Sequence, residues 1–390
     1  MEHISFLVTV VIITALAFDF TNGFHDTANA MATSIATGAL RPKVAVAISG
    51  VLNLAGAFLS VAVAKTISGG LVDEKAGIQP AVVFAALIGA IIWNLVTWLR
   101  GIPSSSSHAL YGGLIGATLV AVGMHGVHFD VVVTKILIPA AASPIVAGVA
   151  AWGATKIAYR TTAKGSKNVN NMGFKFGQIA SASLVSLAHG TNDAQKTMGV
   201  ITLTLVTAGA VAPGSNPPTW VIVSSGLAIA LGTYLGGWRI IRTLGKGIAE
   251  IEAPQGFAAQ TASATVILTS SHMGFGLSTT QVCSGGIMGA GKAGPTGRVN
   301  WSTARRMAYA WGLTLPAAAL LGGGGALLVD RGAVGEVLLA MIGVGASAWI
   351  YVLSRRQRID AGNVVDVPAV GEGPAAPLTP VPAASGPIAA

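Results

Sequence analysis

The feature that limits this chain most is a succession of apolar runs almost free of charge. Residues 81–99 contain no Asp, Glu, Lys or Arg and only one carboxamide, Asn94. A spanning helix needs about 20 mostly apolar residues. Further candidates are 3–17, 44–63, 109–123, 131–158, 176–187 with a continuation to 211, 220–238, 257–273, 282–291, 304–329 and 337–353. Charged residues make up 9% of the 390, against about 25% in a soluble domain, so the chain falls in the membrane class. The net charge of +9 is spread over loops and forms no basic cluster with interleaved aromatics. No nucleic-acid partner is expected. The single cysteine, Cys283, excludes an intramolecular disulfide and a cysteine-rich metal site. No basic segment precedes residues 4–18, which read as a first membrane helix and not a cleaved signal.

Basic residues orient the spans, because cytoplasmic loops carry excess Lys and Arg. Lys156, Arg160, Lys164, Lys167 and Lys175 mark one such loop. Arg239, Arg242 and Lys246 mark a second, and Lys292, Arg298, Arg305 and Arg306 a third. Arg355, Arg356 and Arg358 put the Pro/Ala/Gly-rich tail inside, while 125–130 and 212–218, free of Lys and Arg, read as external. These marks agree only if residues 80–124 and 257–291 enter and return on the same side as re-entrant helical hairpins. Their tips are GIPSSSSH (101–108) and GLSTTQ (276–281). Irregular backbone at membrane depth survives only where it lines a cavity or is buried in protein.

The hairpins repeat one another. A shift of 173 lays Ser105, Ser106 and Ser107 on Ser278, Thr279 and Thr280, and Gly112, Gly113, Gly116 and Ala117 on Gly285, Gly286, Gly289 and Ala290. A shift of 167 lays NGFHDTAN (22–29) on HGTNDAQK (189–196). With three crossings and one hairpin in each half, the second half is upside down relative to the first. The expected fold is an all-α membrane protein, an inverted-topology repeat with two re-entrant helical hairpins. Its parts are a first repeat at 1–159, a basic cytoplasmic loop at 160–175, a second repeat at 176–355 and a disordered cytoplasmic tail at 356–390. Inverted repeats build transporters, with the site at the midplane where the halves meet.

Asp19, Asn22, Asp26 and Asn29 recur at i, i+3, i+7 and i+10, one narrow helix face, with Ser186, His189, Asp193 and Lys196 at the matching places. A charge at the centre of a membrane helix costs at least about 2.5–3.5 kcal/mol, so these residues face water, a partner or an ion. Gly23 and Gly190, just ahead of the aspartates, offer points where each helix can unwind. Carboxylates of Asp26 and Asp193 with amide oxygens of Asn22, Asn29 and Asn192 form a hard-oxygen set suited to Na⁺ or to a held proton. The tips differ. Hydroxyls and N–H groups at helix starts near Ser104, Ser105, Ser106, Ser107, Ser278, Thr279 and Thr280 suit an anion. Cation ligands beside two anion-binding helix starts point to a cation-coupled oxyanion symporter. His25, His108, His189, Gln178 and Arg100 lie close enough in sequence to take part.

At these residues the chain resembles the inorganic phosphate transporter family, the phosphate permeases. NGFHDTANAMATS and HGTNDAQKTMG are similar to its duplicated signature. GIPSSSSHALYGGLIGA and LSTTQVCSGGIMGAG are similar to its two hairpins, and NWSTARRMAYAWGLTLPAAA to its late Trp-containing helix. HDTANA resembles the bacterial branch. The resemblance implies uptake of inorganic phosphate with Na⁺ or H⁺ by a homodimer in the bacterial plasma membrane, in some members as a metal–phosphate complex. It implies Asp26, Asn29, Asn192 and Asp193 as cation-site residues, Asp26 and Asp193 holding Na⁺ if sodium is coupled. It implies Ser105, Ser106, Ser107, Ser278, Thr279 and Thr280 as phosphate ligands. No cofactor and no enzymatic activity are expected. The competing readings are a sulfate permease on the same scaffold, a passive anion channel, and a membrane hydrolase using Ser107 and His108.

Overall fold

The structure, a computed structural model, describes residues 5–73, 76–163 and 165–365. Among the described residues fourteen α-helices follow one another: α1 (Phe6–Ala36), α2 (Pro42–Gly56), α3 (Ala62–Lys65), α4 (Pro80–Leu99), α5 (Ser106–Val122), α6 (Phe129–Val131), α7 (Ile138–Thr162), α8 (Lys167–Thr207), α9 (Thr219–Leu235), α10 (Trp238–Arg242), α11 (Ala253–His272), α12 (Thr279–Ala293), α13 (Trp301–Val329) and α14 (Ala333–Ser354). Single π-helical turns extend α3, α6 and α10. The chain has no sheet among the described residues, only two isolated bridges. Most of the expected tail, 366–390, and Lys164 of the basic loop lie outside the described residues.

Among the described residues, five helical runs are long and apolar enough to cross a membrane: α1, α4, Phe129–Thr162, α13 and α14. A sixth results if α9 and Trp238–Gly247, bent by 60° at Gly236 and Gly237, count as one. The chain is a multi-pass membrane protein. Two thirds (67%) of the α4 span is buried, against 17% of α14, so α4 sits inside the bundle and α14 at its periphery. The exposed apolar side chains of α7, α13 and α14, Ile145, Val149, Leu320, Leu327, Val344 and Trp349 among them, make an outer surface suited to lipid.

Several segment boundaries differ from the sequence expectation. The expected span 44–63 is broken: α2 stops at Gly56 and α3 restarts at Ala62. A restarted helix exposes N–H groups with no partner inside the helix. Here Gln195 of α8 supplies one, its Oε1 accepting from Val63 N at 2.8 Å. That cap comes from 132 residues away, so no local pattern announces it. The expected unwinding at Gly23 and Gly190 does not occur, since α1 and α8 run through both as continuous helix. Their role is close approach. A Cβ on Gly23 would strike the carbonyl of Ile229 on α9, and one on Gly190 the carbonyl of Asn53 on α2.

The two helix–break–helix units are both present. α4 packs on α5, and α11 on α12. The second helix of each unit lies against a long helix elsewhere, α5 on α13 and α12 on α7. A Cβ on Gly116 would meet the carbonyl of Ala319, and one on Gly289 the carbonyl of Gly148. The pairing of glycines seen in sequence is therefore a pairing of helix contacts. Both receiving helices carry an internal proline, Pro316 in α13 and Pro144 in α7.

Two apolar cores result. One holds the α4–α5 unit, with Val8, Val11, Ala15 and Phe18 of α1 and Ala194, Met198, Val200 and Ile201 of α8. The other holds the α11–α12 unit, with Ala28, Met31 and Ile35 of α1 and Ala182, Val185 and Ala188 of α8. α1 thus enters the first core and leaves by the second, and α8 does the reverse. The polar stripes of both helices lie where one core gives way to the other.

Candidate functional site

The stripe residues are buried: Asp19, Asn192 and Asp193 at 0%, Asn22 at 1%, Asp26 at 2% and Asn29 at 4% exposed. Each ion among them is costly unless partnered, and for Asp26 and Asp193 the two breaks add hydroxyl partners to those from α1 and α8. Ser105 N-caps α5, its Oγ accepting from His108 N at 3.1 Å. Ser278 N-caps α12, its Oγ accepting from Gln281 N at 3.3 Å. These caps fix each helix start and place Ser106, Thr279 and Thr280 against the aspartates and Ser107 between Lys196 and the Leu277 carbonyl.

Around Asp26, Ser106 Oγ donates to Oδ2 at 2.5 Å, Thr280 Oγ1 donates to Oδ1 at 3.2 Å, and His25 Nδ1 lies 2.6 Å from Oδ1. The far nitrogen of His25 approaches Ser104 Oγ at 3.4 Å, and Ser104 in turn bonds Thr97 Oγ1 at 2.7 Å. Around Asp193, Lys196 Nζ makes an ion pair with Oδ1, Asn192 Nδ2 donates to Oδ1 at 2.7 Å, and Thr279 Oγ1 donates to Oδ2 at 3.2 Å. His189 Nε2 lies 2.9 Å from Asp193 Oδ2, a close approach without hydrogen-bond alignment. Its Nδ1 is held 2.9 Å from Asn53 Oδ1.

The two halves of the site are joined. Asn29 Nδ2 donates to Thr279 Oγ1 at 3.1 Å and Thr280 Oγ1 at 3.0 Å, which leaves its own Oδ1 buried and unpartnered. Lys196 Nζ also donates to Ser107 Oγ at 2.6 Å and to the Leu277 carbonyl at 3.0 Å, so one ammonium touches both breaks. Ligand atoms of Asp26, His189 and Asp193 all lie within 4.8 Å of one another. That carboxylate–imidazole–carboxylate set fits a small cation, with the Asn29 oxygen free to join it. Facing it are the donors of Ser106, Ser107, Thr279, Thr280 and Lys196, and the first-turn N–H groups of α5 and α12 that no helical carbonyl satisfies. Those donors fit an oxyanion.

The structure brings Asp26, Asn29, Asn192, Asp193, Ser106, Ser107, Thr279 and Thr280 into one cluster. Ser105 and Ser278 serve as caps at its edge, and Ser104 sits behind it against Thr97 and His25. Asn22 lies outside it, its Oδ1 buried and unpartnered. Asn192 spends its oxygen on Ser271 Oγ at 3.3 Å, leaving only its amide group for the site. Arg100 ends α4 as an exposed C-cap, and Gln178 bonds Thr37 at 2.8 Å, both away from the cluster. Lys196 is the residue whose weight sequence reasoning understated. Its i+3 spacing from Asp193 announced the ion pair, but Ser107 and Leu277 could be placed beside it only by the fold. The ring of His108 is 2.6 Å from Ser105 Oγ, whereas Ser107 bonds Lys196 and Leu277. Ser107 and His108 therefore do not form the nucleophile–base pair of the hydrolase reading.

The profile described as "Phosphate transporter family" matches residues 22–322. The chain is 56% identical over 363 residues to a "Probable low-affinity inorganic phosphate transporter" of Mycobacterium tuberculosis, covering 92% of this chain and 87% of that one. It is 42% identical over 326 residues to a protein of the same description from Bacillus subtilis, covering 83% of this chain and 97% of that one. A solved structure described as "The sodium-dependent phosphate transporter" superposes with a TM-score of 0.75 at 24% identity, over 84% of this chain and 100% of the other. At that identity the likeness is one of fold. The chain therefore belongs to the phosphate transporter family, and it is a multi-pass membrane transporter, not an enzyme.

Proposed function

We propose that the chain imports inorganic phosphate across the bacterial plasma membrane together with a cation, H⁺ or Na⁺. One observation carries the reading. Two helix starts converge from separate cores on a pair of buried carboxylates, with one lysine bridging both starts. Phosphate is held by Ser106, Ser107, Thr279, Thr280 and Lys196. The cation is held by Asp26, Asp193 and the free oxygen of Asn29. An anion channel has no use for carboxylates beside its anion, because they repel it unless a cation binds too. Phosphate at neutral pH can donate a hydrogen bond where sulfate cannot, and Asp26 and Asp193 are acceptors at the anion site, which favours phosphate.

The opposite order in which α1 and α8 thread the two cores supports an inverted repeat. The matching glycine contacts of α5 and α12 support the same arrangement. The two breaks then act as re-entrant tips, and access alternates as the halves rock about the site. A divalent metal could travel with phosphate through the Asp26–His189–Asp193 set on the same chemistry.

Asp26→Asn is the cleaner test of the carboxylates, because Asp193→Asn would also strip Lys196 of its counter-charge. Asp26→Asn should reconstitute into liposomes as a monodisperse protein and lose phosphate uptake. Uptake at the parent rate by a correctly inserted variant would remove Asp26 from the mechanism.

A further inference from the structure

About two helical turns, or about 10 Å, before Asp26 on α1 lies a carboxylate that the phosphate site does not use. Asp19 is fully buried, and both of its oxygens lack a hydrogen-bond partner. The hydrogen-bonding side chains that face it are Asn22, one turn on along α1, and Thr197 of α8, and its nearest charged neighbours are Asp193 and Lys196. Neither Asn22 Oδ1 nor Thr197 Oγ1 is in hydrogen-bond geometry with Asp19 or anything else, though both are buried. Four buried oxygen atoms on three neighbouring side chains, two of Asp19 and one each of Asn22 and Thr197, thus lack a hydrogen-bond partner.

The hydroxyl of Thr197 is the telling one. Other threonines of α8 turn their hydroxyls back onto their own helix: Thr191 onto Leu187 O at 2.8 Å, Thr202 onto Met198 O at 2.7 Å and Thr204 onto Val200 O at 2.9 Å. Thr197 does not, and its oxygen stays free. Partnering points the same way. Asp193 is paired with Lys196, and Asp26 has hydrogen-bond partners in His25 and two hydroxyls, whereas Asp19 forms no ion pair among the described residues. An uncompensated buried carboxylate is a large cost. The repeat-related position in the other half is Ser186, neutral and fully bonded to Ser49 Oγ at 3.0 Å and Ala182 O at 3.0 Å. Whatever neutralises Asp19 has no counterpart in the duplicated half.

We propose that Asp19, Asn22 and Thr197 form a second cation site, separate from the Asp26/Asp193 site, for a small hard monovalent cation of the Na⁺ class. Two carboxylate oxygens, an amide oxygen and a hydroxyl oxygen make an all-oxygen ligand set carrying one negative charge, which suits a monovalent ion. The bound ion neutralises Asp19 and ties α1 to α8 just beside the phosphate site. The site does not depend on phosphate being the transported anion.

The test is equilibrium binding of radioactive Na⁺ to the purified full-length protein in a choline background, with phosphate omitted. Thermal stability is followed with and without Na⁺. Asp19→Asn should lose one equivalent of bound Na⁺ per chain, and Asp26→Asn should keep it. Thr197→Val preserves shape and charge, so it guards against misfolding of the aspartate variant. It should weaken that equivalent several-fold and shrink the Na⁺-dependent thermal shift. Binding in Asp19→Asn and Thr197→Val equal to the parent in amount and affinity overturns the proposal, as does a parent protein that binds no Na⁺. Phosphate flux in liposomes is read separately, so failure of the phosphate reading leaves this result standing.

Discussion

Lys196→Met gives the sharpest test of how the site is held together. The ammonium is 1% exposed, pairs with Asp193, and donates to Ser107 Oγ at 2.6 Å and Leu277 O at 3.0 Å. Removing one partner of a buried ion pair costs about 3–5 kcal/mol, and a hydrogen bond from a charged donor is worth about 1.5–3 kcal/mol. Uptake of a proton or cation by Asp193 offsets part of that, so the expected loss lies near the lower figure, about 3 kcal/mol. Replacing both partners by neutral groups is close to neutral. Lys196→Met alone and Asp193→Asn alone should therefore unfold several degrees below the parent, and the double variant should recover most of the loss. Phosphate uptake in liposomes should fail in all three, because the double variant restores stability without restoring the anion donor. Thermal unfolding of the four proteins in one detergent gives the coupling directly. Losses that simply add in the double variant, or parental uptake by Lys196→Met, would refute the joint role assigned to this lysine.

Ser106→Ala removes the 2.5 Å bond to Asp26 and should raise the KM for phosphate by about 10-fold or more, at about 1.5–3 kcal/mol for a bond to a charged group. Ser105→Ala removes a helix cap instead and should lower stability by about 1 kcal/mol with a smaller effect on uptake. Gly116→Val forces a side chain against the α13 backbone at Ala319, and the yield of monodisperse protein should fall, in line with an overpacking cost of about 1–3 kcal/mol. Gln195→Leu uncaps the start of α3 and should speed hydrogen exchange at Val63 and Ala64 while leaving α5 and α12 protected.

Much of this was legible because the chain repeats its polar signals in order. The apolar runs fixed helices in lipid, and the i, i+3, i+7 spacing of Asp19, Asn22 and Asp26 put them on one face. The two hydroxyl-rich breaks stood out as interruptions in sequences too apolar to leave the bilayer. What stayed hidden was long-range. The break after Gly56 depends on a cap from Gln195, and Gly23 serves a carbonyl on α9 rather than a bend in α1. A glycine reads the same in sequence whether it loosens a helix or admits a neighbour. The caps Ser105 and Ser278 and the hydroxyls that reach Asp26 and Asp193 are adjacent residues of one type, and only the helix start separates their roles. Asp19 and Thr197 come from different helices, and Thr197 has no polar repeat partner to draw notice.

Uphill transport is the most direct measure of the central claim that anion and cation are stabilised side by side. The parent protein in liposomes, given an inward Na⁺ or H⁺ gradient and equal phosphate on both sides, should concentrate labelled phosphate inside. It should stop when the gradient is collapsed. Phosphate that only equilibrates, at the same rate with and without either gradient, would contradict a coupled site and leave a passive pore.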